Sequence, residues 1–256
     1  MYRARPRTPA GMPGLVARTR LDAFANPATD LQMGKSISLN TSRLHCISAY
    51  LAQPTGTPRG GIVVVQEIFG VNAHIRSVAD RFAEAGYTAI APGFFDHVES
   101  GVELGYDEAG FARGRALVGE VGIELAVDDV ASAAEAIASA GRIGVVGFCW
   151  GGTVALRSAQ RLGLPAVSYY GARNPAYLDE TPKAPVIFHF GEHDPSIPPE
   201  TAQQHREKLP QMSVYTYPAG HAFNRDVDPH AYDAPSATLA WQRTLDFFAR
   251  ELGGAA

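Results

Sequence analysis

The sequence predicts an α/β domain with a mostly parallel, doubly wound sheet, helices on both faces and an antiparallel hairpin at its N-terminal edge. Three observations carry that prediction. Continuous apolar runs, GIVVVQEIFG from Gly61 and IGVVGF from Ile143, have the pattern of strands buried on both faces. Helix-like periodicity alternates with such runs along the chain, which is the order of βαβ units. At 256 residues, 46% of them hydrophobic, the chain can bury one sizeable core, and no second domain is required.

The first twenty residues, MYRARPRTPAGMPGLVARTR, are rich in arginine, free of acids and interrupted by prolines. They lack the serines and the amphipathic helix of a transit peptide, so residues 1–34 are expected to be a disordered extension, with Met33 as an alternative start. The folded domain is expected over residues 35–252, with 253–256 as a tail. Alternation from Ser36 to Leu51 predicts two strands forming the hairpin, and in it Cys46 is a small strand residue without chemistry. After the loop Pro54–Gly61 comes the first buried strand, which ends at Gln66-Glu67. A helix over Asn72–Gly86, with Ile75, Val78, Ala79 and Phe82 on one face, and a strand over Tyr87–Ala91 complete a βαβ unit. The turn-rich segment Pro92–Gly105 precedes a short helix near Glu108–Val118 and an alanine-rich helix over Glu124–Ala140. Further strands are expected at Ile143–Phe148, Ala166–Tyr170, Pro185–Phe190 and Ser213–Tyr217, and further helices at Gly152–Gly163, Pro199–Leu209 and Ser236–Leu252.

A net charge of −4 offers no electrostatic footprint for nucleic acid, and no apolar run reaches the ~20 residues of a membrane span. The chain's two cysteines, Cys46 and Cys149, do not form a disulfide framework. A reducing cytoplasm is therefore expected, with a free thiol and a monomeric or homodimeric protein.

The stretch Gly147-Phe148-Cys149-Trp150-Gly151 joins a strand to a helix through a tight turn. That is the layout of the nucleophile elbow G-x-S-x-G with sulfur in place of oxygen. Cys149 is the candidate nucleophile, and the helix N-terminus behind it favours a thiolate. A buried structural cysteine is the plain alternative. Catalytic groups in such sheets gather at the carboxyl ends of strands, where Asp194 in FGEHDPSIP and His221 in PAGHAF also fall. Nucleophile, acid, histidine is the chain order of α/β-hydrolases, with room for one helix and strand between partners. A free thiol with a pKa of about 8.5 is mostly protonated at neutral pH, so His221 would take its proton while Asp194 fixes the imidazole. Taken singly, Asp194 could be a turn residue and His221 a loop residue; together, in that order, they read as a triad.

Glu67 at the end of a buried strand needs a partner, either in the pocket or in a structural pair with an arginine. The N–H groups of Ile68 and Trp150 are the candidate oxyanion donors. Arg225 either aims into the cavity, where its fork would hold a substrate carboxylate, or lies in solvent. A metal site from His189, His193 and Asp194 is conceivable by count, but these residues straddle a strand-to-loop transition, and none is assigned.

QEIFGVN, GFCWGG, GEHDPSIP and GHAFNRD, with the closing AWQRTLDFF helix, resemble the dienelactone hydrolase family, also called carboxymethylenebutenolidase, from about Lys35 to Leu252. The resemblance implies a cofactor-free α/β-hydrolase that opens a dienelactone to maleylacetate in the breakdown of chloroaromatics. It implies the triad Cys149, Asp194 and His221, a Glu67 that contacts and helps activate the nucleophile, and an Arg225 that holds the substrate carboxylate. A second substrate-binding arginine would be Arg113, or next Arg115, although YDEAGFARGRAL departs from the family pattern. GFFDHVESG departs too, with Asp96, His97 and Glu99 near the mouth. The reading is a thiol hydrolase for a small carboxylated lactone or ester; a general carboxylesterase for neutral esters and a thiol-redox protein are the rivals.

Overall fold

The computed structural model describes residue 1, residues 34–43 and residues 45–253. The chain divides into two units, Met1–Leu31 and Gln32–Ala256. The expected extension and tail fall on residues 2–33 and 254–256, outside the described residues.

The described part forms an eight-stranded sheet in the order β1-β2-β4-β3-β5-β6-β7-β8. The hairpin is β1 (Lys35–Asn40) and β2 (Cys46–Ala52), paired antiparallel from Lys35↔Leu51 to Asn40↔Cys46. β2 also runs antiparallel to β4 (Thr88–Pro92), and every pair beyond is parallel. The two innermost strands, β3 (Gly61–Val65) and β5 (Ile143–Phe148), align from Gly61↔Ile143 to Val65↔Gly147. All five residues of β3 are buried, as a strand covered by helices on both faces requires. β6 (Ala166–Tyr169), β7 (Val186–Gly191) and β8 (Ser213–Tyr217) extend the sheet to its other edge.

α1 (Ala73–Glu84) and α5 (Ala234–Leu252) share one face of the sheet, where Phe82 packs on Trp241 with ring centroids 4.6 Å apart and on Phe248 at 5.9 Å. α2 (Glu108–Ala136) and α3 (Trp150–Leu162) pack on each other across the opposite face, and α4 (Glu200–Lys208) lies against β8. Side-chain caps fix the helix starts: Asn72 accepts from the Ile75 N–H, Asp107 from Gly110 and Asp233 from Ser236. Two helices were expected before β5. Both lie within Glu108–Ala136, as helical stretches that meet at Gly122, whose φ of 72° and ψ of 167° are not helical. The break falls in the gap left between the two expected helices, and glycine tolerates it without a Cβ clash. The turn-rich segment after β4 contains a 3-10 helix, Phe94–His97, which buries both phenylalanines.

The elbow forces the closest backbone approaches in the sheet's centre. A Cβ on Gly147 would strike the Gly151 carbonyl, and one on Gly151 would strike the carbonyls of Gln66 and Val65. Helix α3 can start directly behind the strand because neither residue carries a side chain. Gly151→Ala is therefore expected to cost about 1–3 kcal/mol, from backbone displacement against a packed neighbour. Chemical denaturation of the variant would read it as a lowered midpoint.

Candidate active site

Every residue singled out for the triad emerges at the carboxyl end of a strand. Cys149 follows β5 directly and is the residue before α3, with φ 55° and ψ −115°. A non-glycine residue in that region is strained, and here the strain turns the thiol outward at the helix N-terminus. Hydrogen bonds from the Cys149 N–H to the Tyr169 carbonyl, 3.0 Å, and from the Gly152 N–H to the Cys149 carbonyl, 3.0 Å, hold the bend. Asp194 lies just beyond β7 and His221 just beyond β8.

Nδ1 of His221 is 2.6 Å from Oδ2 of Asp194, whose side chain is fully buried. The other carboxylate oxygen accepts from the Ser196 N–H at 2.8 Å, which fixes the carboxylate's plane. Burial alone would lower the imidazole pKa. The Asp194 hydrogen bond and the Cys149 side chain outweigh it and push the value up to about 10. Asp194 and the Cys149 side chain thus hold His221 toward its protonated form.

Glu67 stands two residues past β3 and is 1% exposed. Its partner is Arg225, 3% exposed: Nε donates to Oε2 and NH2 to Oε1, both at 3.0 Å, in a forked pair. The third arm, NH1, donates to Asp228 at 3.1 Å. The guanidinium lies 4.2 Å over the Tyr106 ring and 5.1 Å over Phe69. Burial works against its charge, but Glu67's charge and hydrogen bond more than compensate and keep Arg225 cationic. Of the two sequence expectations for Glu67, the structure forms the arginine pair. Arg225 accordingly faces Glu67 and Asp228 rather than presenting a free fork.

The backbone N–H groups of Ile68 and Trp150 donate to no acceptor among the described residues. Arg113 is placed elsewhere: NH2 meets Glu99 at 2.6 Å and NH1 lies 3.9 Å from Glu120, on an exposed side chain. Arg115 lies 6.0 Å from the Phe111 ring. Neither arginine forms an ion pair with the triad or Glu67. His189 is engaged inside the core by the Tyr217 hydroxyl at 2.7 Å and by Thr244 at 3.3 Å.

Sequence reasoning passed over Tyr170, Tyr106 and Asp228. Tyr170 sits immediately past β6 with φ 39°, and its ring centroid is 5.0 Å from that of His221. Its buried hydroxyl has no partner among the described residues. Burial, then the Glu67 charge, raises its pKa well above that of a free phenol, so it remains a neutral donor. The strand-end rule that selected the triad selects Tyr170 equally. Tyr106 is held by the Asn72 amide at 3.0 Å, and burial pushes its pKa up to about 12.

The sequence profile of the Dienelactone hydrolase family matches residues 47–252. The chain belongs to the dienelactone hydrolase family. A carboxymethylenebutenolidase of Pseudomonas putida is 33% identical over 227 residues, covering 84% of this chain and 96% of the relative. One from Pseudomonas knackmussii matches to the same extent, 33% over 227 residues, 84% of this chain and 96% of the relative. A crystal structure of a candidate dienelactone hydrolase from Klebsiella pneumoniae superposes with a TM-score of 0.74 at 31% identity. That alignment covers 85% of this chain and 99% of the other. The dienelactone hydrolases are hydrolases of ester and lactone bonds, and the eight-stranded sheet is their α/β-hydrolase fold. No helix among the described residues is long and apolar enough to cross a membrane.

Replacing the carboxylate isolates its effect on the base. In Asp194→Asn the His221 titration midpoint, followed by NMR, is expected to fall from near 10 toward 6.5. The folded value lies above the ordinary one, so this pair stabilises the fold fully below pH 6.5 and ceases to do so as pH rises through about 10.

Proposed function

We infer that the protein is a thiol hydrolase that opens a small carboxylated enol-lactone, or a related ester, through an acyl-enzyme. The observation that carries the reading is the His221 imidazole, bonded at 2.6 Å to buried Asp194 and raised in basicity by the neighbouring thiol of Cys149. The Cys149 sulfur would attack the carbonyl carbon as its proton passes to His221. The N–H groups of Ile68 and Trp150 would hold the oxyanion. Collapse breaks the ring C–O bond, with His221 returning its proton toward the leaving oxygen. Water then attacks the thioester with His221 as base and releases the thiolate.

The name carried by the Pseudomonas putida relative points to a carboxymethylene-butenolide as the lactone, with maleylacetate as product. Its carboxylate would be received by Arg225, which requires an exchange of partners with Glu67; freed, Glu67 would face the thiol. A second reading, a carboxylesterase for neutral esters, is favoured by one observation: all three arms of Arg225 are already taken by Glu67 and Asp228.

Cys149→Ala is expected to abolish turnover of lactones and esters alike; undiminished hydrolysis by that variant discards the mechanism. The substrate class is read from kcat/KM for an anionic enol-lactone against p-nitrophenyl acetate, in wild type and in Arg225→Lys. If the carboxylate is recognised, the variant loses tenfold or more on the anionic substrate alone, since a hydrogen bond to a charged group is worth about 1.5–3 kcal/mol. Equal losses on both substrates select the neutral-ester reading.

A further inference from the structure

Outside the catalytic residues lies a second buried carboxylate–imidazole pair. His97, at the end of the 3-10 helix after β4, places Nε2 at 2.8 Å from Oδ2 of Asp129 on α2. Both side chains are buried, His97 at 5% and Asp129 at 0% exposure. The pair does not touch the triad, and the proposed hydrolysis leaves it without a task. Its other nitrogen, Nδ1, faces Nδ1 of His45, 3.1 Å away, at the exposed turn leading into β2.

We propose that His45 and His97 form a two-imidazole chelate for one divalent transition-metal ion, with Asp129 as the carboxylate that orients His97. Two nitrogen lone pairs cannot face each other at this distance unless a proton or a cation lies between them. Metal–imidazole bonds of about 2.0–2.1 Å at a tetrahedral angle set two ligating nitrogens about 3.3–3.4 Å apart, so a shift of a few tenths of an ångström admits the ion. The Asp129 carboxylate accepts the proton-bearing Nε2 of His97, and the lone pair is thereby fixed on Nδ1, toward His45. That carboxylate–histidine arrangement orients ligating imidazoles and raises their donor strength. Without the ion, the proton between the two rings is that of His45 Nδ1, donated to His97 Nδ1; the ion replaces it as His45 shifts to its Nε2 tautomer, so no net proton is released from the neutral imidazoles.

Arg43, whose charge acts on Asp129, is tied to Asp128 at 2.6 Å and is compensated there. Among the described residues no group of three or more His, Cys, Asp or Glu side chains surrounds one point. Water therefore completes the coordination, the ion is exchangeable, and Cu2+ is held more tightly than Zn2+. Bound, it would fasten the β1–β2 turn to the 3-10 helix and, through Asp129, to α2.

Cu2+ titration of the full-length protein in a Cys46→Ser/Cys149→Ser background, which removes both thiols, tests the site. The expected result is one saturable equivalent at micromolar concentration, with nitrogen splittings from two imidazoles in the electron paramagnetic resonance spectrum. Adding His45→Ala, an exposed position, is expected to weaken binding more than tenfold and leave one nitrogen. Asp129→Asn is expected to weaken it tenfold to a hundredfold while both nitrogens remain, the usual range for an outer-shell carboxylate. No saturation below millimolar Cu2+, or a change of less than tenfold with His45→Ala, overturns the proposal.

Discussion

The whole arrangement rests on a bend that only one packing permits. Helix α3 must begin directly behind the central strand, so two glycines surrender their side chains and Cys149 accepts a left-handed backbone. The strain costs of order 1–3 kcal/mol and is held by the flanking sheet, whose fully buried strands leave the loop no room to relax. In return the sulfur sits at a helix N-terminus, where unpaired N–H groups favour negative charge. One constraint thus fixes both the place of Cys149 and the helix dipole beside it.

Around that point the charges are arranged in opposed pairs. His221 is drawn toward the protonated state by Asp194 and the thiol, while Glu67 and Arg225 neutralise each other at a depth where a lone ion could not persist. Removing Arg225 would strand Glu67 in the interior, a cost of about 3–5 kcal/mol, whereas Arg225 without Glu67 keeps Asp228.

Most of the architecture was legible because strand burial and helix periodicity are local patterns. The hairpin, the parallel order and the elbow follow from runs such as GIVVV and GFCWGG, and the places of Cys149, Asp194 and His221 from the ends of β5, β7 and β8. Long-range partners were not legible. Nothing in the chain pairs Glu67 with Arg225, 158 residues apart, or sets Asp228 on the remaining arm. Arg113, matched only through the family resemblance, shows the same limit: its partners Glu99 and Glu120 could not be read from the chain. The backbone breaks at Gly122, in the gap between the two helices expected before β5.

The base and its carboxylate hang from the last two strands, and β8 has only β7 as a neighbour in the sheet. Edge elements open locally at lower cost than the strands inside them. The His221–Asp194 contact, which spans the β7–β8 pair, is therefore the part of the site that opens at the lowest cost to the sheet.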